Sequence, residues 1–337
     1  MRTIICPEPG RLEYSDTAEP KQQSGEAILR VTHVGVCGTD LHAFEGTQPF
    51  FSYPRILGHE LAAVVEVPGD SGRFSVGEAV TFVPYFSCGK CIACRTGKPN
   101  CCVRLAVYGV HIDGGMRNYI SIPETSLVAA DGLTGESLAL IEPLSIGAHG
   151  VERAMISPGE HVLVIGAGPI GLGAMQFAAM AGGVVIAMDI NMERLAFCRD
   201  VLKVPHVVNA RDTNLSEQLA GITEGDMASV VIDATGNLGA INNAFQYMAH
   251  GGRFVLIGLQ KNQISISHPE FHKREGTLMS SRNATRKDFE YVISCIRNKR
   301  VDPLSYITHR VKFESVVDQF PSWLNPDAGV IKAMISL

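Results

Sequence analysis

The chain has 337 residues, more than one hydrophobic core ordinarily organises, so two domains are expected. Apolar residues make up 46% and charged residues 19%, a balance that excludes a disordered chain. The net charge of −5 comes with dispersed Lys and Arg and no basic stripe, so no nucleic-acid surface is expected.

Met1-Arg-Thr-Ile-Ile-Cys6 lacks the basic and apolar blocks of a secretory signal. Together with nine cysteines, that points to a reducing, cytoplasmic setting in which thiols bind metal rather than form disulfides. Cys6, Cys198 and Cys295 read as small core residues. Residues 162–188 carry no charge and are long enough for a bilayer. Glycines and Pro169 divide them into apolar run, turn, helix, turn and apolar run, so a buried strand–helix–strand unit is expected instead of a membrane span.

Residues 26–36, 61–67 and 76–83 are rich in β-branched residues and read as short strands of a barrel-like first domain. Two polar motifs punctuate them: Cys37-Gly-Thr39-Asp40-Leu-His42 and Gly58-His59-Glu60. They supply a thiolate, an imidazole and a carboxylate, and Glu142 is a further oxygen donor. Three such ligands with one exchangeable position suit a catalytic zinc. Taken singly, the histidine is an ordinary core or surface residue, and Glu60 reads equally as the buried partner of a Lys or Arg.

Cys88-Gly-Lys-Cys91-Ile-Ala-Cys94 and, further on, Cys102 set four thiols in one short lobe. Each C-x-x-C step aims two sulfurs at one point, the spacing of a structural zinc site. Cys101, beside Cys102, is an alternative fourth ligand.

Around residue 147 the pattern changes. Strands at 161–165, 184–189, 230–233 and 253–258 alternate with helical stretches, which signals a parallel sheet covered by helices. The first of them runs into Gly166-Ala-Gly168-Pro169-Ile170-Gly171. These glycines permit a tight turn, close approach of backbone to a pyrophosphate and close helix–strand packing. Asp189 ends the next strand, where its carboxylate would bind the ribose hydroxyls of NAD and repel the 2′-phosphate of NADP. Asp189 also reads as a helix N-cap, a role open to Asn191 as well. Arg194 is either a cover for the adenine or a solvated helix residue. A helix is expected over 286–298, after which the chain returns to the first domain. The boundaries drawn are 1–146, 147–282 and 283–337.

With these motifs in place, and with Gly114-Gly115 and Glu142-Pro143, the chain resembles the zinc-dependent medium-chain alcohol and polyol dehydrogenases over nearly its whole length. The resemblance implies an α/β protein: a GroES-like β-barrel catalytic domain and a Rossmann domain of doubly wound parallel sheet. It implies two zinc ions and NAD. Cys88, Cys91, Cys94 and Cys102 match the structural zinc ligands, and Cys37 and His59 the catalytic ones. Glu60 and Glu142 match the carboxylates of the sorbitol and threonine dehydrogenase branch. Thr39 and His42 match a proton relay that runs through the cofactor ribose to solvent. Family members pair across the nucleotide-domain sheet, which implies a homodimer or homotetramer.

Segments 48–53, 110–115, 269–273 and 281–285 resemble those of bacterial members that oxidise L-galactonate, L-gulonate or L-idonate at carbon 5. A carboxylated substrate calls for a cation, and Arg55, Lys273 and Arg282 are the candidates, with His111 and Asn283 as further pocket residues. Each has an alternative: Arg282 on the cofactor pyrophosphate, Lys273 as a surface charge, Arg55 as a loop anchor, His111 in a turn. Sorbitol, L-threonine and 2,3-butanediol are alternative substrates. An NAD-binding zinc protein without turnover, serving as sensor or scaffold, is the non-enzymatic reading.

Overall fold

The computed structural model describes residues 1–48 and 51–337. The chain forms two compact units, Met1–Glu142 with Thr285–Leu337, and Pro143–Ala284. The divisions thus fall at 142/143 and 284/285, inside the helix Ile141–Ala154 and just before the helix Arg286–Arg297.

The second unit is built on a six-stranded parallel sheet. In spatial order its strands are His206–Asn209, Val184–Asp189, His161–Ile165, Ala228–Asp233, Met248–Leu256 and Thr277–Ser280. That is the doubly wound order, with the chain reversing direction across the sheet between His161–Ile165 and Ala228–Asp233. The uncharged stretch resolves as two buried strands around the helix Pro169–Met180. Its apolar runs are continuous because such strands are covered on both faces. Among the described residues, no helix is long and apolar enough to cross a membrane. Leu163, Ile165, Ile186, Val231 and Phe254 fill the core beneath the helices.

The first unit holds a seven-stranded, mostly antiparallel sheet. Its spine is Glu26–Val36, an eleven-residue strand flanked by Glu60–Val67 and, on its other edge, by Tyr119–Pro123 and Lys332–Ser336. Two registers position the site. Gly35 lies opposite Glu60, and Ala333 opposite Val36. The end of the spine, the start of the Glu60 strand and the last strand of the chain therefore meet at one place. Cys6, Cys198 and Cys295 are buried, and burial pushes the Cys6 thiol up to about 11 and the Cys198 thiol up to about 12.

Candidate active site

Cys37 leaves the spine strand in extended conformation and N-caps the short helix Gly38–Phe44. Asp40, 1% exposed, ties this turn to its neighbour. One carboxylate oxygen accepts from the Cys37 N–H at 2.9 Å and the other from the Gly58 N–H at 3.1 Å. The two ligand-bearing segments are thereby fastened to one side chain. The same Asp40 carboxylate lies 3.8 Å from Nδ1 of His59.

Cys37, His59 and Glu60 bring donor atoms within 4.8 Å of one another. His59 and Glu60 are buried, and Nδ1 of His59 has no hydrogen-bond partner. Burial opposes a charge on this imidazole, but the Asp40 carboxylate and Cys37 outweigh it and hold its pKa well above the usual value. The surroundings thus favour a positive charge at the centre of the group. A sulfur, an imidazole and a carboxylate in that field fit a divalent ion of borderline softness and leave a position for an exchangeable oxygen.

Glu142 stands outside that trio. It is buried in the first turn of Ile141–Ala154 and accepts a hydrogen bond from the phenol of Tyr85, itself buried. Burial pushes the Glu142 carboxyl up to about 7, with Glu60 adding to the rise and His59 and Tyr85 opposing it. Thr39 is half-buried and His42 exposed on the helix that Cys37 caps. At three residues apart they share a face of that helix. Nδ1 of His42 lies 3.2 Å from a Glu45 oxygen and 3.3 Å from the Thr47 hydroxyl.

In the lobe, Cys88, Cys91, Cys94 and Cys102 converge within 4.8 Å, whereas Cys101 is exposed. Cys102 therefore closes the group. Its sulfur accepts from the N–H groups of Cys88 and Arg104, each at 3.3 Å. Backbone N–H groups of Lys90 and Cys91 draw the Cys88 thiol down to about 6. A closed all-sulfur set suits a structural zinc with no open position.

In the second unit, a cavity of about 470 Å³ is lined by Gly166, Gly168, Asp189, Arg194, Thr235 and Tyr247, among others. Gly166 has φ +101°, in the region open to glycine. A Cβ on Gly171 would sit 1.8 Å from the Gly166 carbonyl oxygen, so this glycine is needed for packing. A Cβ on Gly168 would meet nothing within 4 Å. Neither backbone angle nor packing demands glycine there; the space it leaves suits a phosphate approaching the N-terminus of Pro169–Met180. Asp189 accepts from the Ala167 N–H at 2.6 Å and the Asn191 N–H at 2.8 Å. The helix cap is Asn191, whose side chain accepts from the N–H groups of Glu193 and Arg194. Capping therefore does not account for Asp189, and the chemistry of this cavity fits the adenosine half of a dinucleotide. Pro169 and Ile170 open the helix, half-buried beside the loop.

A family model described as zinc-binding dehydrogenase matches residues 169–298, and one described as the alcohol dehydrogenase GroES-like domain matches residues 23–132. L-galactonate-5-dehydrogenase of Escherichia coli K12 is 40% identical over all of this chain and 99% of its own length. The chain belongs to the zinc-binding medium-chain dehydrogenases. A further relative in this family, 2-dehydro-3-deoxy-L-galactonate 5-dehydrogenase of Pseudoalteromonas atlantica, is 32% identical over 85% of this chain and 84% of its own. A crystal structure described as a short chain alcohol dehydrogenase, RspB of E. coli CFT073, complexed with NADH, superposes with a TM-score of 0.93 at 30% identity. It covers 100% of this chain and 99% of that one. The protein is thus a medium-chain dehydrogenase of GroES-like and Rossmann architecture.

Of the five residues considered for substrate, Arg55 and His111 lie in the first unit and Lys273, Arg282 and Asn283 in the second. Arg55 is engaged by Asp113 at 3.3 Å and by Ser52 at 2.7 Å, the anchoring role. His111 accepts from the Val107 N–H at 3.1 Å, within its own turn. Lys273 pairs with Glu270 at 2.9 Å on the exposed helix His268–Lys273. All three thus have protein partners, although the buried Nε of Arg55 has none among the described residues. Arg282 is exposed and Asn283 half-buried, at the end of the second unit, and Asn283 has φ +53°. In segment 48–53, Pro49 and Phe50 lie outside the described residues.

Sequence reasoning missed three residues here. Asp40 lies inside the Cys37–His42 motif with nothing local to mark its partners, Tyr85 belongs to no motif, and Lys332 lies nearly the whole chain away. Both oxygens of Glu60 are bound by the Lys332 ammonium, at 2.6 and 2.7 Å. Glu60 is thus the buried partner of a Lys, while one of its oxygens stays within 4.8 Å of the Cys37 and His59 donor atoms.

Proposed function

We propose that this dehydrogenase oxidises a secondary hydroxyl of a sugar acid or polyol with NAD as hydride acceptor, and that an aldonate oxidised at carbon 5, such as L-galactonate, is its substrate. The observation that carries the reaction class is the convergence of Cys37, His59 and Glu60 around one point. The whole-length likeness to L-galactonate-5-dehydrogenase carries the choice of substrate.

Zinc held by Cys37, His59 and Glu60 would act as a Lewis acid toward the substrate hydroxyl. NAD held at the glycine loop would supply the hydride chemistry. The protein's own residues do the rest. Asp40 fixes the turns that carry Cys37 and His59 through the Cys37 and Gly58 N–H groups. Thr39 relays the hydroxyl proton by passing on its own, and the exposed imidazole of His42 on the same helix releases a proton to solvent. Tyr85 and Glu142 form a polar pair that faces a polyhydroxy chain better than a hydrocarbon wall would. Asp189 hydrogen-bonds the adenosine ribose and disfavours a 2′-phosphate, which selects NAD over NADP.

NADH absorbance with a panel of L-galactonate, L-gulonate, L-idonate, sorbitol, L-threonine and 2,3-butanediol tests the reading. Turnover should be greatest with an aldonate, and NAD should exceed NADP by about 100-fold or more in kcat/KM. Turnover confined to threonine or the diol would replace the substrate, and silence across the panel would leave a binding protein.

A further inference from the structure

We propose that Lys332 is a positioning residue of the candidate metal centre: it holds Glu60 and sets the charge that the donor group presents to the metal. This rests on the dehydrogenase reading above. Lys332 is 2% exposed, and lysine is seldom buried to that degree without a partner. Its ammonium donates to the two Glu60 oxygens at 2.6 and 2.7 Å and to the Val36 carbonyl at 3.1 Å. Three donors meet three acceptors, so the group is fully satisfied. Val36 precedes Cys37 and Glu60 follows His59 in sequence. One cation therefore touches the neighbour of each of two candidate ligands, and the third candidate itself.

The surrounding backbone makes room for this arrangement. Gly35 lies opposite Glu60 in the sheet, and a Cβ there would come within 2.2 Å of the Glu60 Oε2. Only a residue without a side chain lets the carboxylate lie in the cleft between strands, where Lys332–Ser336 delivers the ammonium. A buried ion pair is weak evidence for stability, because desolvation offsets much of the attraction. A role in the site explains better why a pair with no access to water sits within reach of Cys37 and His59.

The chemical consequence concerns charge. A thiolate and a free carboxylate would cancel the charge of a divalent ion. With Lys332 bound to Glu60, the group carries one net negative charge, and the ion keeps positive charge for an incoming oxygen. Lys332 also occupies both Glu60 oxygens, so Glu60 reaches a metal only by sharing an oxygen with the ammonium.

The test loads the full-length enzyme with Co²⁺ and compares wild type with Lys332→Arg, Lys332→Met, Glu60→Gln and the Lys332→Met/Glu60→Gln double variant. Visible absorption of the site cobalt, metal affinity by chelator competition, and kcat are measured. Lys332→Met should shift the cobalt absorption, tighten metal binding about tenfold and lower kcat about 10- to 100-fold, because a full carboxylate charge then faces the ion. Lys332→Arg should restore most of all three. In the Glu60→Gln background, removing Lys332 should change neither spectrum nor affinity further, since its action passes through Glu60. That comparison decides the matter even where Lys332→Met alone does not fold. Unchanged cobalt absorption and affinity in Lys332→Met, with only a lower Tm, would reduce Lys332 to a structural pin and overturn the proposal, as would additive effects in the double variant. Wild-type protein that takes up metal in the cysteine lobe alone would instead sink the dehydrogenase reading.

Discussion

Two groups of metal-ligating side chains occur in the same unit, and they are built on opposite principles. The lobe draws all four thiols from residues 88–102, three half-buried and Cys102 buried, with local backbone N–H groups on the Cys102 sulfur. The Cys37, His59 and Glu60 group draws on a strand end, a loop and a second strand, and Asp40 and Lys332 support it. The lobe's ligands form a closed set that a short loop can organise alone. The second group exists only where the sheet is complete, and its three mixed donors are fewer than a closed tetrahedral set needs. The difference teaches that sulfur spacing marks a metal that stabilises a loop, whereas a metal that does chemistry is recognised by mixed donors with buried support.

Substitutions in the two groups should therefore fail in different ways. Cys37→Ala should lower kcat by about 10³-fold or more, since Lewis-acid stabilisation of several kcal/mol is lost, while NADH binding followed by fluorescence stays within about threefold. Cys94→Ser should do the reverse: one metal equivalent disappears from elemental analysis, Tm falls by several degrees, and the folded fraction retains most of its kcat. Equal losses of kcat in both, at equal Tm, would erase the distinction between the two groups.

The glycine loop sharpens the same contrast between support and function. Gly171→Ala should destabilise by about 1–3 kcal/mol, because its methyl meets the Gly166 carbonyl, and calorimetry would read this without cofactor. Gly168→Ala should leave Tm unchanged, since its Cβ meets no protein atom, yet weaken NADH binding about tenfold or more in titration. The smallest effect is expected at His42. His42→Ala should lower kcat by about 10-fold near neutrality and less at high pH, because an exposed exit group is readily replaced by water or buffer.

Much of the fold was legible because it is local. The strands at His161–Ile165 and Val184–Asp189 occupy the bounds their apolar runs and flanking turns suggested. The helix Arg286–Arg297 ends one residue short of its expected limit. His206–Asn209 was not foreseen: four residues with half-exposed sides carry too little pattern. In the site, the motif residues came from chemistry that spacing preserves. The candidates for substrate came from the resemblance of four segments and from charge, and Arg55 pairs with Asp113 and Ser52, His111 with Val107 and Lys273 with Glu270. An isolated cation in a sequence says nothing about which neighbour will neutralise it.

The order of residues by itself determined the cysteine lobe up to the choice between Cys101 and Cys102, the strand–glycine–helix turn and the acidic residue that ends the next strand. Each is a property of a short segment whose geometry follows from backbone angles and local hydrogen bonds. Only the tertiary structure decided that Asp40 holds the Gly58 N–H beside His59, that Tyr85 meets Glu142 and that Lys332 binds Glu60. Lys332 and Glu60 are brought together by strand register across the sheet, and the other two pairs join helix residues to distant segments; such contacts depend on collective burial rather than on any one stretch of chain.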